Sequence, residues 1–172
     1  MFLFGSVLLL ACNKEEVAID LNQFKFNVPS SKKNTDDPLL KLVDGKHYYQ
    51  DQLYSGMIET PNSSEAKRIY SILDGVEHGK QIGWHTNKNL SFKYFCIHGK
   101  RHGEYLEYYP VGKMQIRAEY NLGEELSRTI WDLNDQTIVN YVIKDGRYYG
   151  LLGSSDCLSV FNADKTKASL KE

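Results

Sequence analysis

Five histidines and three cysteines are the side chains of this 172-residue chain with the widest chemical reach. Two of the histidines, His78 and His102, stand 24 residues apart in the same local setting, Gly75-Val-Glu-His-Gly79 and Gly99-Lys-Arg-His-Gly103. Stacked imidazoles of that kind could fill two positions of a zinc-type site. No cysteine or carboxylate completes the set at ligand spacing, and the same slot holds Leu126 and Tyr149 further along. The pair is therefore expected to serve the fold, and no metal or other cofactor is expected. His47, His85 and His98 follow no pattern, and no cysteine pairs with a histidine at an interpretable spacing. Gly153-Ser-Ser155 lacks the elbow of a serine hydrolase. Gly75 to Lys80 has neither the spacing nor the hydroxyl of a phosphate-binding loop. Glu104 and Glu107 could act as paired carboxylates, but their odd separation in a strand sends them to opposite faces. The chain thus reads as a non-catalytic protein with no small-molecule substrate evident. With 22 acidic against 21 basic residues it carries no nucleic-acid footprint.

The elements that position these residues are repeats. Gly75-Val-Glu-His-Gly79, Gly99-Lys-Arg-His-Gly103, Gly123-Glu-Glu-Leu-Ser127 and Gly146-Arg-Tyr-Tyr-Gly150 share one pattern, and their first glycines stand 24, 24 and 23 residues apart. A fixed period in this range marks a repeat architecture. Between the turns, apolar residues return in register: Tyr70, Tyr94, Ala118 and Tyr141; Ile72, Cys96, Tyr120 and Ile143; and Trp84, Tyr108 and Trp131. A fainter earlier copy ends at Gly56. Within each copy the alternation is period two, as in Phe92-Lys-Tyr-Phe-Cys96, which is the mark of a half-buried strand. Asp74-Gly75 and Asp145-Gly146 are hairpin dipeptides, and His98-Gly99 and Leu122-Gly123 fill the same slot. Gly75, Gly79, Gly99, Gly103, Gly123, Gly146 and Gly150 are accordingly read as the repeat turns. The expected fold is all-β: one open antiparallel meander of repeated hairpins over residues 39–161, with Trp84, Tyr108 and Trp131 forming a stripe that either lines the dry face of the sheet or stays open as a contact patch. Cys96 sits in an apolar column and reads as a small buried hydrophobe. A disulfide to Cys157 is chemically allowed outside the cytoplasm, with no spacing to demand it.

The spacing of paired glycines, the aromatic strands and the segment Tyr108-Tyr-Pro-Val-Gly-Lys113 resemble the MORN repeat in its bacterial variant form. The region from about residue 44 to 153 is similar to the YwqK-family antitoxin-like proteins built from that variant. The resemblance implies a scaffold for contact with another protein or, in some relatives, with a membrane. It also implies an alternative role: neutralising a partner toxin by binding it.

The N-terminus carries a second signal. Residues 2–10 are largely apolar and too short to span a bilayer as a helix. They end in Leu9-Leu10-Ala11-Cys12, which resembles the lipobox of bacterial lipoproteins. The resemblance implies a signal peptide over 1–11, lipid on Cys12 and anchoring in the cell envelope. No aspartate follows Cys12, which points to the outer membrane, and Lys14-Glu15-Glu16 is similar to surface-export signals of Bacteroidota lipoproteins. Residues 12–38 are polar and read as a tether, in which the alternation of Phe24, Phe26 and Val28 allows one added edge strand. Residues 162–172 read as a polar tail.

Overall fold

A computed structural model of the protein describes residues 27–61 and 66–153. The expected signal peptide, Cys12, Phe24, Phe26, Cys157, residues 154–161 of the repeat region and the tail 162–172 lie outside the described residues.

The described residues contain fourteen strands and no helix: β1 Lys32–Asn34, β2 Leu40–Val43, β3 Lys46–Tyr49, β4 Gln52–Leu53, β5 Gly56–Glu59, β6 Arg68–Leu73, β7 Val76–Trp84, β8 Leu90–Ile97, β9 Lys100–Arg101, β10 Gly103–Tyr108, β11 Met114–Asn121, β12 Glu124–Trp131, β13 Thr137–Lys144 and β14 Arg147–Leu151. The fold is all-β and mostly antiparallel, as the sequence predicts. From β5 to β14 each hairpin lies beside its successor in an eleven-stranded sheet, with β9 and β10 forming two parts of one arm against β8.

Two features depart from the sequence reading. The sequence predicts one sheet, and two are present: β2, β3 and β4 form a separate three-stranded sheet. Tyr54, immediately after that sheet, packs with Ile58 and Ile72 of the main sheet into a buried cluster, against which Leu40, Tyr49 and Tyr70 lean. The small sheet therefore covers one face of the large one at its N-terminal end. Secondly, the tether read over 12–38 does not extend to Pro38. Lys32–Asn34 pairs in parallel with Met57–Glu59 and caps the edge of the main sheet. Lys-Lys-Asn has little intrinsic preference for a strand; backbone pairing holds it, with Met57 N–H donating to Ser31 O at 2.7 Å, and Lys32 adds an ion pair to Glu59 at 2.7 Å while the Lys33 ammonium stands 3.8 Å over the Tyr49 ring. The Tyr54 hydroxyl adds a tie, 3.1 Å from Ser31 O and 3.0 Å from Met57 O.

The hairpin reversals follow from their residues. At Asp74-Gly75, φ is 49° and 83°, and at Asp145-Gly146 it is 50° and 73°. Two successive positive values define the turn whose twist matches that of paired strands, and Asp-Gly is among its preferred dipeptides. His98-Gly99 and Leu122-Gly123 adopt the same conformation, at φ 47° and 78° and at 46° and 93°. The opposite ends of the hairpins use longer loops ending in a left-handed residue, Lys88, Gly112 or Asp135, each beside a break in strand register.

Gly79, Gly103 and Gly150 are not in the reversals, where the sequence reading puts them; they lie inside β7, β10 and β14. Gly56, Gly79 and Gly103 stand opposite Ile72, Cys96 and Tyr120, one of the apolar columns seen in the sequence. Each glycine removes a side chain where the next strand presents a buried apolar one.

Candidate functional site

Cross-strand partners share a face of a sheet, so the register assigns the two faces. Tyr70 pairs with Gln81, and Gln81 with Tyr94. Further along, Tyr105 pairs with Ala118, Ala118 with Arg128, and Arg128 with Tyr141. All lie on the face that the small sheet partly covers. Their rings form a chain along the repeat axis. Centroids are 6.4 Å apart for Tyr70 and Phe92, 5.7 Å for Phe92 and Tyr94, 5.5 Å for Tyr94 and Tyr105, and 6.4 Å for Tyr105 and Tyr120. Tyr141 and Tyr148 continue it at 5.1 Å from each other. Separations of this size are those of favourable aromatic pairs.

Charges are threaded between the rings. The second residue after each first glycine is Glu77, Arg101, Glu125 or Tyr148, and all four project from this face. The Arg101 guanidinium lies 5.1, 4.8 and 5.6 Å from the ring centres of Tyr94, Tyr105 and Tyr120, within cation–π range. Among the described residues its guanidinium makes one hydrogen bond, a long donation to the Tyr120 hydroxyl at 3.5 Å. Glu125 is better served. It accepts from Arg128 Nε at 3.1 Å, from Arg128 Nη2, from the Tyr120 hydroxyl at 2.8 Å and from the Tyr141 hydroxyl. Burial alone would raise its carboxyl, but these donors outweigh burial and hold the pKa down at about 2. Burial and Glu125 together push Tyr141 up to about 12.

Glu77 sits where the small sheet ends. It accepts from the Tyr94 hydroxyl at 3.3 Å and from the Cys96 thiol at 3.3 Å. Burial, reinforced by the carboxylate, raises both the Tyr94 phenol and the Cys96 thiol well above their ordinary values. Cys96 is a free, buried cysteine, and a thiol held protonated is a poor nucleophile. Glu77, Tyr94, Cys96 and Arg101 form the floor of a cleft of about 450 Å³, and Leu42 and His47 of the small sheet form its opposite wall.

His78 and His102 are buried at 5% and 6% exposure, the first in a bulge of β7 and the second in the break between β9 and β10. Each accepts, through Nδ1, the backbone N–H of the next hairpin turn: His98 N to His78 at 3.2 Å and Leu122 N to His102 at 3.3 Å. They join neighbouring turns, which already stack through Gly99 N to Glu77 O and Gly123 N to Arg101 O. No group of three metal-ligating side chains able to hold an ion occurs among the described residues.

Trp84, Tyr108 and Trp131 are half-buried at the loop ends of their strands, where register breaks. No ring contact joins the three among the described residues. The continuous aromatic row is built from Tyr70, Phe92, Tyr94, Tyr105 and Tyr120 instead. Glu104 and Glu107 do fall on opposite faces, paired with Glu119 and Phe92 respectively. The sequence carried a signal for the charged column, since Glu77, Arg101 and Glu125 recur at the repeat spacing. It carried little for Tyr105, whose counterparts in neighbouring copies are Gln81 and Thr129.

Comparison with protein-family models, with curated proteins and with solved structures yields no match to the chain.

Proposed function

We propose that the chain is a lipid-anchored, non-catalytic binding module of the bacterial cell envelope, held in the outer membrane through Cys12 and presenting its tyrosine face to another protein. The observation that carries this reading is the make-up of that face. Tyrosine rings with interleaved arginine and glutamate line an open sheet, Tyr120 buried and the others half-buried, and among the described residues a second layer covers only one end. Tyrosine and arginine are the residues most enriched where protein interfaces concentrate their binding energy, because each offers large contact area with a polar tip. The support for anchoring is the segment Leu9-Leu10-Ala11-Cys12, which places an acceptable lipid site ahead of a polar stretch.

Two measurements test the halves of the proposal. Cells fed a fatty-acid probe should label the wild-type protein and leave Cys12→Ser unlabelled; equal, low labelling of both would remove the anchor and favour the cytoplasmic antitoxin role. A photo-crosslinking residue at Tyr105 should yield a discrete adduct with a second protein, and one at Thr129 on the opposite face should not. Adducts of equal yield from both positions would reject the tyrosine face as the contact surface.

A further inference from the structure

The cleft between the two sheets carries chemistry that a protein-binding face does not need. Its floor presents two opposite charges, Glu77 and Arg101, and no salt bridge joins either to any other described residue. The donors that reach Glu77 stand at 3.3 Å or more, and the phenol is long for an O–H···O bond. Among the described residues Arg101 uses one of its five donors, at 3.5 Å, and otherwise rests on aromatic faces. Tyr94 lies between them, with its hydroxyl toward Glu77 and its ring under Arg101.

We propose that this cleft binds a small zwitterion, a molecule with one ammonium and one carboxylate group, such as a free α-amino acid or a dipeptide. Arg101 takes the carboxylate, for which its planar fork of N–H groups is matched in geometry. Glu77 takes the ammonium. The Tyr94 ring and Leu42 face the carbon skeleton from floor and wall. A ligand of one sign leaves the other charge facing an occupied, partly dehydrated cleft without a partner, and that arrangement is costly. A ligand of both signs compensates both. The volume, about 450 Å³, lies within the range of small-molecule sites. The inference does not depend on the protein partner proposed above.

The test is isothermal titration calorimetry of the full chain in detergent micelles. The probes are a panel of free L-amino acids and glycylglycine, with acetate and ethylammonium as single-charge controls. The expected result is saturable one-to-one binding of at least one zwitterion and none of either control. Glu77→Gln and Arg101→Gln should each weaken binding about tenfold or more, as loss of a charged hydrogen-bond partner does. Leu42 is 65% exposed on the cleft wall, so Leu42→Trp should block the cleft while leaving the thermal melt unchanged. It serves as the control should either charge variant fail to fold. The proposal is overturned if no zwitterion binds, if acetate binds as tightly as the best zwitterion, or if Leu42→Trp binds like wild type.

Discussion

At the scale of single residues, two groups tie stability to pH in different windows. Glu125 has a folded pKa of about 2 against an ordinary 4.5. A carboxyl with a depressed folded pKa stabilises fully above its unfolded value, and that stabilisation is lost as the pH falls from 4.5 toward 2. Glu125→Gln should therefore destabilise by about 1–2 kcal/mol at neutral pH, given the usual worth of charged hydrogen bonds at a partly exposed site. It should also flatten the acid limb of the stability curve below the ordinary carboxyl range, as read by urea titrations across acid pH. His78 acts earlier. Burial, helped by neighbouring His98, lowers its pKa from 6.5, although Asp74 pulls the other way. The unfolded chain then binds the proton more readily than the folded one, so stability drops as the pH falls below 6.5. The mechanism is visible: Nδ1 accepts the His98 N–H, and a proton there abolishes the acceptor. His78→Ala should cost about 1 kcal/mol at neutral pH and shrink the drop below pH 6.5. His47, also lowered chiefly by burial, supplies the drop that remains. A His78→Ala protein with an undiminished drop would place the titration elsewhere.

At the scale of elements, the glycines within the strands matter as much as those in the reversals. Gly79 within β7 and Gly103 at the start of β10 hold φ of 87° and 73°, a conformation in which β-branched residues are strained. Valine at either position should destabilise by more than about 1 kcal/mol, measurable as a lowered melting temperature, and negligible shifts at both would mean that the backbone there relaxes freely. Much of this level was legible in the sequence. Asp-Gly dipeptides and period-two alternation act locally, so hairpins and their turns could be read from neighbouring residues alone. What could not be read depends on distant partners. The bulge at His78 and the break at His102 arise because each ring reaches the next turn, about twenty residues on. β1 has little intrinsic preference for a strand and exists because β5 offers an edge. The docking of the small sheet on Ile58 and Ile72 depends on Leu40, which belongs to no repeat column, and on Tyr54, which occupies the Glu77 position of the faint first copy but turns into the core instead of carrying a charge. The candidate site shows the same division: the Glu77, Arg101 and Glu125 column was present in the spacing, but the cleft was not, because its other wall comes from outside the repeats.

At the scale of the whole molecule, the repeats stack in sequence order and each hairpin touches the next. Stability in such an array is approximately a sum of unit terms and nearest-neighbour interfaces. Both margins of the sheet carry those interfaces. The tight turns are joined through His78 and His102. On the opposite margin Asn87 and Asn89 both donate to Pro110 O, and Lys113 donates to Leu133 O and Asp135. A surface built this way is stiff along the repeat axis, which suits a face meant to meet a partner without rearranging.

That serial order also governs how fast the molecule finds its shape. Most all-β domains fold slowly because strands far apart in the chain must meet before any contact rewards them. Among the described residues nearly every pairing joins strands next to one another in sequence; β8 with β10 skips only the two-residue β9, and β1 with β5 is the one pairing that skips several strands. Stopped-flow refolding should accordingly show a main phase in the range of roughly milliseconds or faster, quicker than all-β domains of similar size. Substitutions that weaken the β1–β5 contact, such as Tyr54→Phe, should hasten unfolding and leave that refolding phase untouched, because the last strand to dock is absent from the barrier.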